Sequence, residues 1–166
     1  MDLNVSVNNY DKFAEKRHFE ITSGKRYSIR FSERPMMKSM MPNISDKKVL
    51  LLGCGTGQES ELLEKYNPQK IVGIDLSEKS IEIAKKSYPS CEFYLADMLN
   101  LPFDDNEFDF VYSSLALNHI EDTDRLFKEI YRVLNNDGRL LFSVGHPMRF
   151  ANKAINYNDK VYYVII

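Results

Sequence analysis

Residues 49 to 57 read Val49-Leu50-Leu51-Leu52-Gly53-Cys54-Gly55-Thr56-Gly57, and the fold class turns on this stretch. Val49 to Leu52 is an unbroken apolar run, too short for a helix of its own and lacking the polar alternation of a half-exposed strand. It predicts a strand buried on both faces. Gly53, Gly55 and Gly57 then interrupt the pattern. A backbone without side chains can turn sharply and let a ligand approach to contact distance, as a strand-to-helix loop must if it holds a cofactor. Asp75 closes a second apolar run about twenty residues later, where nucleotide-binding βαβ units carry a ribose-binding carboxylate.

Beyond this stretch, strand and helix patterns alternate, the signature of a parallel sheet covered on both faces. Residues 58–66 predict a helix with Leu62, Leu63 and Tyr66 on one face, stopped by Pro68 before a strand over 71–74. Ser77 is placed to cap the next helix, whose stripe Ile81, Ala84 and Tyr88 ends at Pro89. Strands follow at 92–96, closed by Asp97, and at 108–112. A helix over 123–134 turns Leu126, Phe127, Ile130, Tyr131 and Leu134 inward, and the turn Asn135-Asn136-Asp137-Gly138 leads into a strand over 139–144. Upstream, residues 2–9 predict a loose arm, and a helix runs from Tyr10 to about Glu20. Gly24 marks a break, and Pro35 opens a second helix whose Met36, Met37, Met40 and Met41 enter the core. The linker 42–48 feeds the first strand.

At 166 residues the chain is one domain. It divides into a helical cap over 1–47, an α/β core over 48–147 and a tail over 148–166. An apolar share of 43% beside a charged share of 28% is the balance of a soluble globular protein. A net charge of -2 argues against a nucleic-acid-binding surface. Basic residues do cluster from Lys16 to Lys38, but Glu20 and Glu33 lie among them, so the expectation is a solvated helix face. The start lacks the basic and apolar regions of a signal peptide, and no apolar run approaches the ~20 residues of a spanning helix, so no membrane partner is expected and the cytoplasm is the default. Cys54 and Cys91 have no metal-ligand spacing and are expected as free thiols, with no metal site.

Several motifs in order carry a resemblance: Val49 to Gly57, Gly73-Ile74-Asp75-Leu76-Ser77, Ala96-Asp97 with Leu101-Pro102-Phe103, Phe108-Asp109 through Ile120, and Ile130-Tyr131-Arg132-Val133-Leu134 before Gly138-Arg139-Leu140. Together they resemble the class I S-adenosylmethionine-dependent methyltransferases over about Lys48 to Pro147. The resemblance implies a doubly wound, mainly parallel α/β sheet of Rossmann-like type and methyl transfer from S-adenosylmethionine to a small-molecule acceptor. It implies that Gly53, Gly55 and Gly57, with Cys54 between them, line the methionine part of the cofactor. Asp75 would accept both ribose hydroxyls, Leu76 would pack on adenine, and Asp97 would take the adenine amino group beside Met98. Ser113 and Leu115 would place backbone groups near the methionine ammonium. His119 and His146 are the candidate bases if the acceptor must lose a proton. Tyr10-Asp11 with Ala14 fits a pattern common in the family, although Arg17 stands where an aromatic is frequent.

Two positions depart from the family. Leu51 occupies the place of an acid two residues before the first glycine, and the family's sheet continues beyond the fifth strand, whereas here the chain runs on to Val161-Tyr162-Tyr163-Val164-Ile165-Ile166. The expectation is a fragment of a longer protein, with an open edge at the fifth strand that residues 161–166 or a second copy could pair. Two rival readings stand beside methyl transfer. One is a non-catalytic S-adenosylmethionine-binding subunit. The other is a nicotinamide-dependent oxidoreductase, disfavoured because Gln58 replaces the third small residue of that fingerprint and Glu59 and Glu61 would repel a pyrophosphate.

Overall fold

The computed structural model describes the backbone of residues 3–25, 29–145, 152–157 and 160–165, and the side chains of 11–25 and 31–145. Five strands, β1 (Lys48–Leu52), β2 (Lys70–Asp75), β3 (Glu92–Leu95), β4 (Phe108–Ser114) and β5 (Leu134–Ser143), form one sheet in the order β3-β2-β1-β4-β5. Every pairing in it is parallel. β1 is central: Leu50 lies opposite Val72 of β2 and Val111 of β4. Strand order therefore reverses between β1 and β4, and a crevice for ligands belongs outside their carboxyl ends.

The predicted parallel sheet is thus present, and the alternation along β1 explains its two faces. Val49 and Leu51 join Leu63, Ile81, Ala84, Phe93 and Tyr112 in a core beneath α3 (Gln58–Glu64) and α4 (Glu78–Ser87). Leu50 and Leu52 point the other way, into a core with Ile74, Leu126, Ile130 and Val133 beneath α5 (Thr123–Val133). Burying one such leucine stabilises the fold by roughly 1.5–3 kcal/mol, so a buried run of four fixes the register of the centre.

Four local expectations need correction. Residues 3–9, read as a loose arm, are the start of α1 (Leu3–Thr22). Weak helix formers are carried along there because the later turns of α1 are docked, and extending a formed helix needs no new nucleus. Of the four methionines near α2 (Arg34–Ser39), Met37 is buried and Met41 packs at the core edge, while Met36 and Met40 are exposed. On α5 the buried stripe is Leu126, Ile130 and Val133; Phe127 is half-exposed and Tyr131 is 84% exposed. Finally, the polar stretch after Asn152 is a strand, β6 (Asn152–Tyr157), paired antiparallel with β7 (Lys160–Ile165) in a sheet of its own. Of the two pairings offered for 161–166, folding back onto β5 within the chain is not what the described backbone shows.

The turn at Asn135–Gly138 lies inside β5: Leu134 pairs with Phe108 and Arg139 with Phe110, so the residues between them bulge out. Among the described residues, no helix is long and apolar enough to cross a membrane. Both cysteines are free and buried.

Arg132 explains two motifs together. Its guanidinium donates to the carbonyls of Leu101 (3.0 Å) and Phe103 (2.7 Å) and pairs with Glu129 and Asp105, both at 2.9 Å. One planar fork thereby pins the β3–β4 loop against α5. We expect Arg132→Ala to lower unfolding stability by about 1.5–3 kcal/mol, the range for hydrogen bonds from a charged group. Arg132→Lys should recover less than half of the loss in urea titrations, because an ammonium cannot span both carbonyls.

Candidate functional site

The loop after β1 carries three left-handed glycines with three different surroundings. Gly53 has φ +63°, and a Cβ there would overlap the methyl of Ala116 in the loop after β4. This glycine lets the two loops at the reversal point touch. Gly57 has φ +85° and backs onto Tyr88 and Ala84, with a Cβ 2.8 Å and 3.1 Å from their side chains, so it lets the start of α3 sit on α4. Gly55 has φ +52° and nothing within 4 Å of its Cβ position, so the chain's only open glycine face in this loop is here.

Asp75, at the end of β2, joins that loop to the next. Its Oδ2 accepts from the Gly55 N–H at 2.8 Å and its Oδ1 from the Ser77 N–H at 2.9 Å. Each oxygen keeps a lone pair for one more donor. Burial pushes the Asp75 carboxyl above its usual range, opposed by these two N–H groups and by the positive charge of Arg17. Leu76 beside it is partly exposed. Beyond β3, Asp97 Oδ1 accepts from the Leu99 N–H at 2.9 Å, and Met98 is buried with its terminal methyl toward Gly53. Asp75, Asp97 and the glycine loop thus share the carboxyl end of the sheet.

The other predicted residues differ in character. The Cys54 thiol is buried in the core, and burial pushes its pKa up, so it is no nucleophile. Ser113 is fully buried, its hydroxyl donating to the Leu52 carbonyl at 3.0 Å, which ties β4 to β1. Leu115 has φ +52°, a strained conformation for this residue type, and is held by donating its N–H to the carbonyl and hydroxyl of Ser143 at 3.0 and 3.1 Å. His119 lies at the end of the short turn Leu117–His119; partial burial of the ring and then Arg17 hold it below the ordinary imidazole value. His146 lies outside the described residues.

Linear reading missed the contribution of the N-terminal helices. Asp11 Oδ1 accepts from the Ser77 hydroxyl at 2.5 Å and the Lys79 N–H at 3.2 Å, so α1 reinforces the start of α4. His18 Nδ1 lies 3.1 Å from Thr56 Oγ1 and 3.0 Å from Gln58 Nε2, fastening α1 to the glycine loop. Arg34, expected on a solvated face, donates to Glu59 at 3.1 Å and to the Gln58 carbonyl at 3.0 Å. Tyr112 donates to the other Glu59 oxygen at 3.1 Å, and burial drives the Tyr112 and Glu59 pKa values up. Glu33 Oε1 accepts from Ser114 at 2.8 Å and Ser143 at 2.6 Å. No local sequence signal marked these partners; their partial burial in the fold is what shows that these polar groups need hydrogen bonds.

Residues 50–142, more than half of the chain, match the sequence family described as Methyltransferase domain. The chain belongs to this methyltransferase family. A demethylmenaquinone methyltransferase of Thermotoga maritima is 33% identical over 133 residues, covering 78% of this chain and 58% of the relative. A malonyl-[acyl-carrier protein] O-methyltransferase of a Marinomonas species is 37% identical over 109 residues, 63% of this chain and 40% of the relative. Among solved structures, an S-adenosylmethionine-dependent methyltransferase of Mesorhizobium loti superposes with TM-score 0.70 at 29% identity, over 80% of this chain and 62% of that one. The methyltransferase domain here spans about half the length of the curated relatives it matches.

The contact of the two loops is testable. We expect Gly53→Ala to cost roughly 1–3 kcal/mol from overpacking and about 1 kcal/mol or more from the left-handed backbone. Adding Ala116→Gly should restore the steric part and leave the backbone part, read as a partial return of the thermal midpoint.

Proposed function

We propose that this chain transfers a methyl group from S-adenosylmethionine to a small-molecule acceptor. The observation that supports it most is Asp75, whose two oxygens are aimed by Gly55 and Ser77 and still have room for two more donors. That is the acceptor set a ribose diol needs, and the open face of Gly55 leaves backbone accessible beside it. Asp97 is suited to accept from the adenine amino group, with Leu76 and Met98 as apolar neighbours of the ring. Gly53, Gly55 and Leu115 would border the methionine end, while Ser113 acts from behind by tying the strands.

When bound, S-adenosylmethionine supplies a methyl group on a sulfonium that is already a good leaving group. The protein's work is then to align and to exclude water. Where the acceptor must lose a proton, His119 is the candidate base, since its lowered pKa keeps it neutral near pH 7 and able to accept one; His146 is the other candidate. The outer edge of β5, unpaired among the described residues and flanked by the half-exposed Phe127 and Phe142, is the surface where a second copy could pair.

One observation favours a second reading, a non-catalytic cofactor-binding subunit: Leu51, standing where the family has an acid, is fully buried in the core and offers the cofactor nothing. Methyl transfer to a panel of small acceptors, set against cofactor binding alone, separates the two.

Calorimetry should show binding of S-adenosylhomocysteine and none of NAD. Micromolar NAD binding without S-adenosylhomocysteine binding would overturn the assignment. Asp75→Ala should lose two charge-assisted hydrogen bonds and weaken S-adenosylhomocysteine by about 10- to 150-fold in a folded protein.

The same carboxylate sets a pH dependence. Its pKa is raised by burial, so wild-type affinity should fall on acidification beginning above the ordinary carboxylate range, as Asp75 takes up a proton and loses acceptor capacity. Stability carries the opposite sign: the buried charge costs stability above that pKa, and the cost lifts as the group is protonated. Affinity flat down to the ordinary range would show that Asp75 does not hold the ligand.

A further inference from the structure

β4 and β5 end side by side, with Ser114 opposite Ser143. Both hydroxyls donate to one oxygen of Glu33, Oε1. The other oxygen, Oε2, has no solvent contact and no hydrogen-bond partner. Glu33 stands at the N-cap of α2, yet its side chain makes no capping bond there. Among the described residues it has no ion-pair partner, because the neighbouring Arg34 is engaged by Glu59 and the Gln58 carbonyl. A carboxylate oxygen held out of water without a donor is unfavourable, and two serines that orient its twin leave it aimed and unspent.

Position gives this oxygen a use. Ser114 and Ser143 lie at the carboxyl ends of β4, which borders the reversal point, and of its neighbour β5, and Ser143 also holds Leu115, the residue after β4. We propose that Glu33 Oε2 is a recognition point for the methyl acceptor, taking a hydroxyl or protonated-amine donor while Ser114 and Ser143 hold Oε1 in place. The proposal rests on the methyltransferase reading of the crevice and narrows its substrates. Glu33 and Glu59 together carry two negative charges against the one positive charge of Arg34, so this end of the crevice favours a neutral or cationic donor and rejects a carboxylate. Glu33 as a whole is only partly buried although Oε2 is covered, so a donor reaches Oε2 when the cover over it shifts.

The test uses the full chain saturated with S-adenosylhomocysteine and three small probes, benzylamine, benzyl alcohol and benzoate, followed by ligand-observed NMR titration. At least one donor probe should bind, with benzoate weaker by about 10-fold, as for a charge-assisted hydrogen bond. Glu33→Gln keeps an acceptor for the serines but places an amide NH2 at the free position; it should weaken the donor probes about 10-fold and narrow the gap to benzoate, with S-adenosylhomocysteine affinity unchanged. The donor-to-benzoate ratio is the readout that a purely structural role would not move. Glu33→Asp, which withdraws the carboxylate by one methylene, should show the same loss of preference and replaces Glu33→Gln if that variant does not fold. Probe ratios equal in wild type and variants, or no donor probe bound by the loaded wild type, overturn the proposal while the cofactor assignment stands. Failure of wild type to bind S-adenosylhomocysteine overturns the cofactor assignment and, with it, this one.

Discussion

The site depends on one buried carboxylate that two backbone N–H groups share. Ser77 reaches Asp75 from two residues further along the same segment, whereas Gly55, after β1, reaches it only because Leu52 lies opposite Ile74 in the sheet. A slip of one residue would turn Asp75 to the opposite face, away from the Gly55 N–H. The apolar run Val49–Leu52, buried between two cores, is what forbids the slip. Core packing thus enforces a register whose beneficiary is a single polar side chain, and the chain accepts a desolvated charge to have it.

The two sides of the crevice are built by different means. On the β1–β2–β3 side the groups are backbone N–H donors and short-range acids, each within a few residues of a strand end. On the β4–β5 side they are side chains from remote segments: Glu33 and Arg34 before the sheet, Glu59 on α3, Ser114 and Ser143 on adjacent strands. A family can therefore keep the first side nearly constant while the second varies with every change in the N-terminal helices.

The same division decides what could be read from the linear chain. The glycine loop, Asp75, the Ser77 cap and the alternating elements were legible because their signals are local: a broken apolar run, a capping serine directly before its helix, a proline stop. The Ser77 cap is present, its hydroxyl accepting from the Ser80 N–H at 3.0 Å. Glu33, Arg34 and His18 were not legible, because a charged residue in a basic stretch looks solvated until its distant partner is known. Phe127 and Tyr131 erred for another reason. They neighbour the true stripe Leu126, Ile130 and Val133, and α5 needs only a narrow face for the sheet.

Asp11 bonds to Ser77 and Lys79 across more than sixty residues of chain, and this has a consequence for biosynthesis. α1 leaves the ribosome before α4, so its anchor does not yet exist. At ordinary elongation speeds of ~5–20 residues per second, α1 waits roughly 3–14 s before the start of α4 has been made. Through that interval α1 has no sheet to rest on, so it is secured later than its place before the sheet in the chain would suggest, and a chaperone that holds emerging helices could engage it meanwhile.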